Sequence, residues 1–229
     1  MKLLAFETAT EACSVALWVD GDVRERYEIA PRRHAELALP WADALLREAG
    51  IARSQLDAIA VGRGPGAFTG VRLAIAIAQG IALALDRPVV GISTLAALAM
   101  QAQGDRILAA IDARMGEVYL GAFERRAEGM HLLADETVAK PESVAIPDGA
   151  WTCVGTGFTA GDSVLQQRLR DRIVAVDASA LPHAADVARL GAAAFARGEA
   201  VAAERIDPAY LRDNVALTLV QQQALRDSR

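Results

Sequence analysis

Residues Val71 to Leu85 read VRLAIAIAQGIALAL, a run of fifteen in which only Arg72 and Gln79 are polar. A helix that is apolar on every side is normally covered on every side. Directly before it stands VGRGPGAFTG, from Val61 to Gly70, a turn rich in glycine and proline that follows a short apolar strand. The two together force a strand–turn–helix unit, and a sheet offers its helix only one face. Two covers are open for the remaining surface: the first helix of the same domain, or another protein. The small residues Ala74, Ala76, Ala78, Gly80, Ala82 and Ala84 would let a second helix approach closely, beside a ridge of Leu73, Ile77 and Ile81. A bilayer span needs about 20 apolar residues. This run has fewer, many of them alanine, and no transmembrane segment is expected.

The rest of the chain alternates strands and helices. KLLAFET, CSVALWVD and VRERYEI read as an antiparallel meander turning at Asp20-Gly21. HAELALPWADALLREAG places Leu37, Trp41, Ala44, Leu45 and Glu48 at helical spacing, with Pro40 near its start and Gly50 as its stop. LDAIAVG and RPVVGI are short buried strands, and STLAALAMQAQG is a helix capped by Ser93 or Thr94. From Ile107 the order begins again with ILAAIDA, a turn at RMGE, VYLGAFER and HLLADETV, then GDSVLQQRLRD, RIVAV and AADVARLGAAAFARG. An acidic residue closes the leading strand of each half, Glu7 and Asp112. The pattern predicts a duplicated α/β unit, residues 1–103 and 104–229, hinged at 101–105, with the last helix free to pack back on the first domain.

Candidate chemistry is sparse. Gly62, Gly64 and Ala67 meet the loose G-x-G-x-x-A pattern, but Pro65 removes a backbone donor and no Walker lysine follows. A rigid strand-to-helix connection is the expected role. Glu7, Thr8, Thr10 and Ser14 sit where a two-domain phosphotransferase would place a metal-directing acid and a phosphate hairpin, with Asp112 as the echo across a cleft. The same residues could equally end strands and satisfy turn amides. Gly155 and Gly157 in VGTGF could approach a nucleotide or simply form a loop. Three scattered histidines, His34, His131 and His183, and two cysteines 140 positions apart, Cys13 and Cys153, predict no resident metal and no disulfide. A net charge of −5 argues against a general nucleic-acid or anionic-membrane footprint. The start MKLLAFETAT carries no secretory pattern, and a cytoplasmic location is expected.

The stretches LLAFETATEACSVAL, RRHAELALP, GRGPGAFTGVRLAIAIAQGIALALDRPVVGISTLAALA, AAIDARMGEVYLGAF and PAYLRDNVA together resemble the TsaB (YeaZ) family of bacterial tRNA threonylcarbamoyladenosine biosynthesis proteins, along the whole chain. The resemblance implies an α/β fold of the ASKHA type, two RNase-H-like domains each with a mixed sheet flanked by helices. It implies a non-catalytic scaffold in making N6-threonylcarbamoyladenosine at position 37 of tRNAs that read ANN codons. The scaffold would pair directly with a TsaD-like transferase, with a TsaE-like ATPase in the complex and tRNA reached through it. Cofactors would be none in this chain, ATP and a metal lying in the partner subunits. The metal-binding H-x-x-x-H of TsaD-like chains meets Thr94 and Leu98 here, and the usual DTST reads ETAT, with Glu7 and Ala9 as the departures. Helices 33–49 and 70–85 would offer Leu37, Trp41, Leu45, Arg72, Leu73, Ile77 and Ile81 to that partner or to a second copy of the chain. Glu7, Thr8, Thr10, Asp112, Gly155 and Gly157 would be a vestigial nucleotide site. The alternative is an active ASKHA ATPase or phosphotransferase that uses Glu7, Thr8 and Asp112.

Overall fold

The computed structural model describes residues 1–127 and 129–212. Strands β1 (Lys2–Glu7), β2 (Ala12–Val19) and β3 (Asp22–Ile29) form the first meander, and Asp20 and Gly21 turn it with φ of 50° and 111°. Positive φ at both turn positions matches the strand twist, which is why Asp-Gly stands there. Strands β4 (Ala58–Gly62) and β5 (Val89–Ile92) join in parallel, giving the order β3-β2-β1-β4-β5. Strands β6 (Arg106–Arg114), β7 (Glu117–Arg126), β8 (Gly129–Ala139), β9 (Trp151–Val154) and β10 (Ile173–Asp177) repeat it as β8-β7-β6-β9-β10. The two sheets share one topology, offset by five strands.

Five α-helices flank the sheets among the described residues: α1 (His34–Glu48), α2 (Phe68–Leu85), α3 (Thr94–Ala99), α4 (Ala160–Leu169) and α5 (Ala184–Ala196). Gly50, at φ 67°, follows the end of α1, and the Ser93 hydroxyl caps α3 by accepting from the Ala96 amide at 3.1 Å. The repeat is incomplete. Where the first unit has α1, the second has a loop over 140–150. Its carbonyls are held by guanidinium groups: Arg168 donates to Pro141 and Val144, Arg172 to Gly149, and Arg106 to Asp148.

The helices that close each unit are exchanged. Leu95, Leu98 and Ala99 of α3 pack under Ile107, Ala109 and Phe123 of the second sheet. Ala184, Val187 and Ala188 of α5 pack under Leu3, Ala5, Ala16 and Ala60 of the first. Each buried Val or Leu contributes about 1.5–3 kcal/mol, so undocking either helix would expose a sheet face in the opposite unit. The start of α5 is pinned to β3, because Glu25 accepts from the Ala185 amide at 2.9 Å and pairs with His183 Nδ1 at 2.8 Å. The imidazole stacks on Tyr27 with ring centroids 4.1 Å apart. The remaining apolar clusters lie on the outer faces, under α1 and α2 in the first unit and under α4 in the second.

Candidate functional site

Between the two lobes lies a cleft of about 320 Å³, lined by Thr10, Arg32 and His34 on one side and Asp112, Arg114 and Tyr119 on the other. Glu7 does not line it. The carboxyl of Glu7 is fully buried: one oxygen accepts from the Ala9 amide at 2.7 Å and the other from the Thr94 hydroxyl at 2.9 Å. Gly62 passes so close that a Cβ there would overlap the carboxyl. Burial pushes the Glu7 pKa up to about 7, against the pull of the bonds from Ala9 and Thr94. The Thr8 hydroxyl donates to the Gly70 carbonyl at 2.7 Å, Thr10 accepts from the Ala12 amide at 3.3 Å, and Ser14 accepts from the Ala184 amide at 2.8 Å. Asp112 closes its own turn, accepting from the Arg114 amide at 2.8 Å and pairing with the Arg114 guanidinium at 3.2 Å.

Gly155 and Gly157 lie against the backbone of Ala110 in β6, and a Cβ at either would collide with it. Their small size is used by strand packing. The six residues that sequence grouped as a nucleotide site are therefore largely occupied with their own turns and with neighbours outside the group, among them Thr94, Gly70 and Ala110. Of the two acids only Asp112 reaches the cleft, so this donor set does not fit a metal–phosphate group held between opposed carboxylates.

The buried carboxyl gives a pH prediction. Glu7 holds its proton more tightly in the folded chain than in the unfolded one, whose value is 4.5. Its contribution to stability is thus complete below about 4.5 and disappears as pH rises through about 7. Between pH 5 and pH 8 the native chain is expected to lose on the order of 2 kcal/mol relative to Glu7→Gln, whose amide can serve both partners without ionising. Urea unfolding across that range reads the difference. Parallel pH profiles would contradict the assignment.

The glycine-rich turn is used up inside the fold. Gly70 stands over the Thr8 carbonyl, and the Ala67 amide donates to the Ala9 carbonyl at 2.7 Å, so the start of α2 is clamped on the β1–β2 turn. The helix begins at Phe68 and runs for 18 residues. Among the described residues α2 alone is long and apolar enough to span a bilayer, with 28% of it buried. Val71, Ala74, Ile75, Ala78 and Ala82 make its buried row, seated on the first sheet, and Gln79 donates to the Ala203 carbonyl at 3.0 Å.

α1 does not supply the missing cover. It touches α2 only lightly, and the two leave between them a groove of about 380 Å³ lined by Leu39, Ala42 and Leu46 on one side and Gly80, Ile81 and Ala84 on the other. Leu39 is 51% exposed, Phe68 63% and Leu83 64%. Of the residues that sequence offered as a partner surface, Leu45 is the exception, because it is buried in the core beneath α1. Leu37, Trp41, Ile77 and Ile81 are half-buried and lean on that core, and Arg72 and Leu73 are half-buried along α2. Helical spacing missed Leu39 and Leu83; for Leu83 the reason is that a run apolar on all sides gives no polar contrast to mark its outward face. It also missed an aromatic sandwich: the Arg72 guanidinium carbon lies 3.2 Å from the Phe68 ring centroid and 4.9 Å from that of Tyr210.

Two sheets of one topology, exchanged closing helices and a cleft between them define an ASKHA-type protein. A family model described as TsaD, tRNA N6-adenosine threonylcarbamoyltransferase, matches residues 27–219. The proteins called TsaB from Escherichia coli K12 and Haemophilus influenzae are 44% and 37% identical, each aligned over 94% of this chain and over 96% and 95% of their own lengths. A solved structure described as YeaZ from Pseudomonas aeruginosa aligns at a TM-score of 0.82 with 48% identity, covering 92% of this chain and 99% of that one. A second, described as an uncharacterized protein with similarity to peptidase YEAZ from the same organism, aligns at 0.83 with 49% identity over the same shares. The chain belongs to the TsaD family that the model defines and, within it, to the group of proteins called TsaB. Burial pushes the Cys13 thiol up to about 11 and that of Cys153 to about 12, so both stay protonated at neutral pH.

Proposed function

We propose that this chain is a non-catalytic scaffold of the complex that installs N6-threonylcarbamoyladenosine at position 37 of tRNAs reading ANN codons, and that it pairs directly with a TsaD-like transferase in the cytoplasm. The observation that carries the reading is the uncovered apolar face of α2 with the groove beside α1. The names of its relatives supply the pathway. ATP and a metal belong to the partner subunits, with a TsaE-like ATPase joining them. Tyr210, Phe68 and Arg72 extend the apolar face, and Tyr and Arg are the side chains that most often anchor protein interfaces. In the absence of TsaD the same face serves a second copy of the chain. The net charge of −5 supports contact with tRNA through the complex rather than by this subunit alone.

Cells depleted of their own TsaB, supplied with this chain and assayed for the modified nucleoside by mass spectrometry, test the reading. Restored modification is expected, with magnesium-dependent ATP turnover by the purified chain at background. Absent modification despite expression of folded protein and a matched TsaD would sink it. Turnover that saturates with ATP and is removed by an Asp112→Asn change would favour the ATPase alternative.

A further inference from the structure

After α5 the chain returns along the first lobe. Val201 bridges Val89 at the edge of β5 through two backbone bonds of 2.8 and 2.9 Å, Ile206 is buried in the core under α2, and the Ala209 amide donates to the Arg63 carbonyl at 2.8 Å. Within the next three residues it crosses to the other lobe. The Arg212 guanidinium reaches the turn between β6 and β7, donating to the Ala113 carbonyl at 3.2 Å and to the Glu117 carboxylate, and it approaches the Met115 sulfur at 3.7 Å. Tyr210 stays behind on Arg72 of α2, hydroxyl to guanidinium. A cavity of about 250 Å³ lies between Val71 and Arg72 on one side and Ala113, Arg114 and Tyr119 on the other, with Pro208 to Arg212 along its edge.

We infer that Pro208–Arg212 is a strap across the two lobes, which sets the angle of the cleft through the Arg212–Glu117 pair and ties the start of α2 to the β6–β7 turn. The chain before the strap is fixed to the first lobe by backbone bonds and a buried isoleucine, so a pull on Arg212 is transmitted and not absorbed. The pair is sheltered, its side chains being 19% and 30% exposed, and solvent screens it less than a surface ion pair. Lobe rotation about the 101–105 connection would have to break it. Joined in this manner, the two lobes of this chain keep one cleft width, and α2 presents its outward face at one angle.

Spin labels on cysteines introduced at the exposed Glu36 in the first lobe and Ser143 in the second report the lobe separation of the free chain. Cys13 and Cys153 are buried and do not compete for label. One narrow distance distribution is expected for the native labelled chain diluted in an excess of unlabelled chain, which removes distances between copies. In Arg212→Ala and in Glu117→Gln a second, shifted population on the order of a tenth or more of the molecules is expected. Glu117→Gln keeps the shape of the side chain and decides the matter if Arg212→Ala does not melt cooperatively. Distributions identical to that of the native chain in folded variants would overturn the strap, whatever the outcome for TsaD binding.

Discussion

Gly80→Glu is expected to remove binding to the proposed TsaD-like partner and to leave the monomer at least as stable as before. Gly80 is exposed on the outward side of α2, in the wall of the groove, and a Cβ there meets nothing within 4 Å. Glycine inside a helix costs about 0.5–1 kcal/mol relative to a good helix former, so the substitution should raise the melting temperature slightly. In a complex that buries this face the new carboxylate has no partner, and leaving it unpaired in a desolvated seam costs on the order of several kcal/mol. At about 1.4 kcal/mol per tenfold, affinity should fall by roughly a hundredfold or more. Titration calorimetry and a thermal melt read both halves of the prediction. Ile77→Glu is the poorer probe, since Ile77 leans on the core and its loss mixes binding with folding. Unchanged affinity of a folded Gly80→Glu chain would mean that the partner docks elsewhere.

Gly70→Ala is expected to cost more than about 3 kcal/mol of stability, because the added methyl would overlap a main-chain carbonyl that cannot swing away. The affected carbonyl is that of Thr8, whose hydroxyl is bonded in turn to the Gly70 carbonyl. The first turn of α2 would have to lift from the β1–β2 turn, taking Val71 and Ala74 with it. A glycine kept for phosphate binding would behave differently, tolerating alanine in the absence of ligand. Urea unfolding distinguishes the two: a loss within about 0.5 kcal/mol of zero, the range of ordinary surface changes, contradicts the clamp.

The strands and helices were legible because their signals are local. Asp20-Gly21 sets its hairpin by backbone preference, Gly50 follows a helix end, and Ser93 is a capping hydroxyl. The recurrence of a meander foretold a second unit of the same kind, although of the two strands that complete its sheet only β10 was read as RIVAV, and the four-residue β9 was missed. The last helix was allowed to pack back on the first domain, but local signals could not show that α3 covers the second sheet, since an alanine-rich helix reads the same whichever sheet it covers. The site was legible in outline only. The small-residue face of α2 was visible, yet the position of Leu45 under α1 depends on how that helix is rotated against the sheet. The fate of Glu7 depends on Thr94, 87 positions away in sequence, and no spacing rule links them. Phe68, Arg72 and Tyr210 meet across a separation of 138 residues for the same reason.

The central claim is that the face of α2 turned away from its own sheet exists to be covered by a TsaD-like subunit. Hydrogen exchange of the free chain against the chain mixed with TsaD from the same organism tests it most directly. Slowed exchange concentrated in residues 68–85 and in the facing part of 34–48 is the predicted result. A complex that forms while those two helices exchange as in the free chain, with protection appearing only elsewhere, would contradict it.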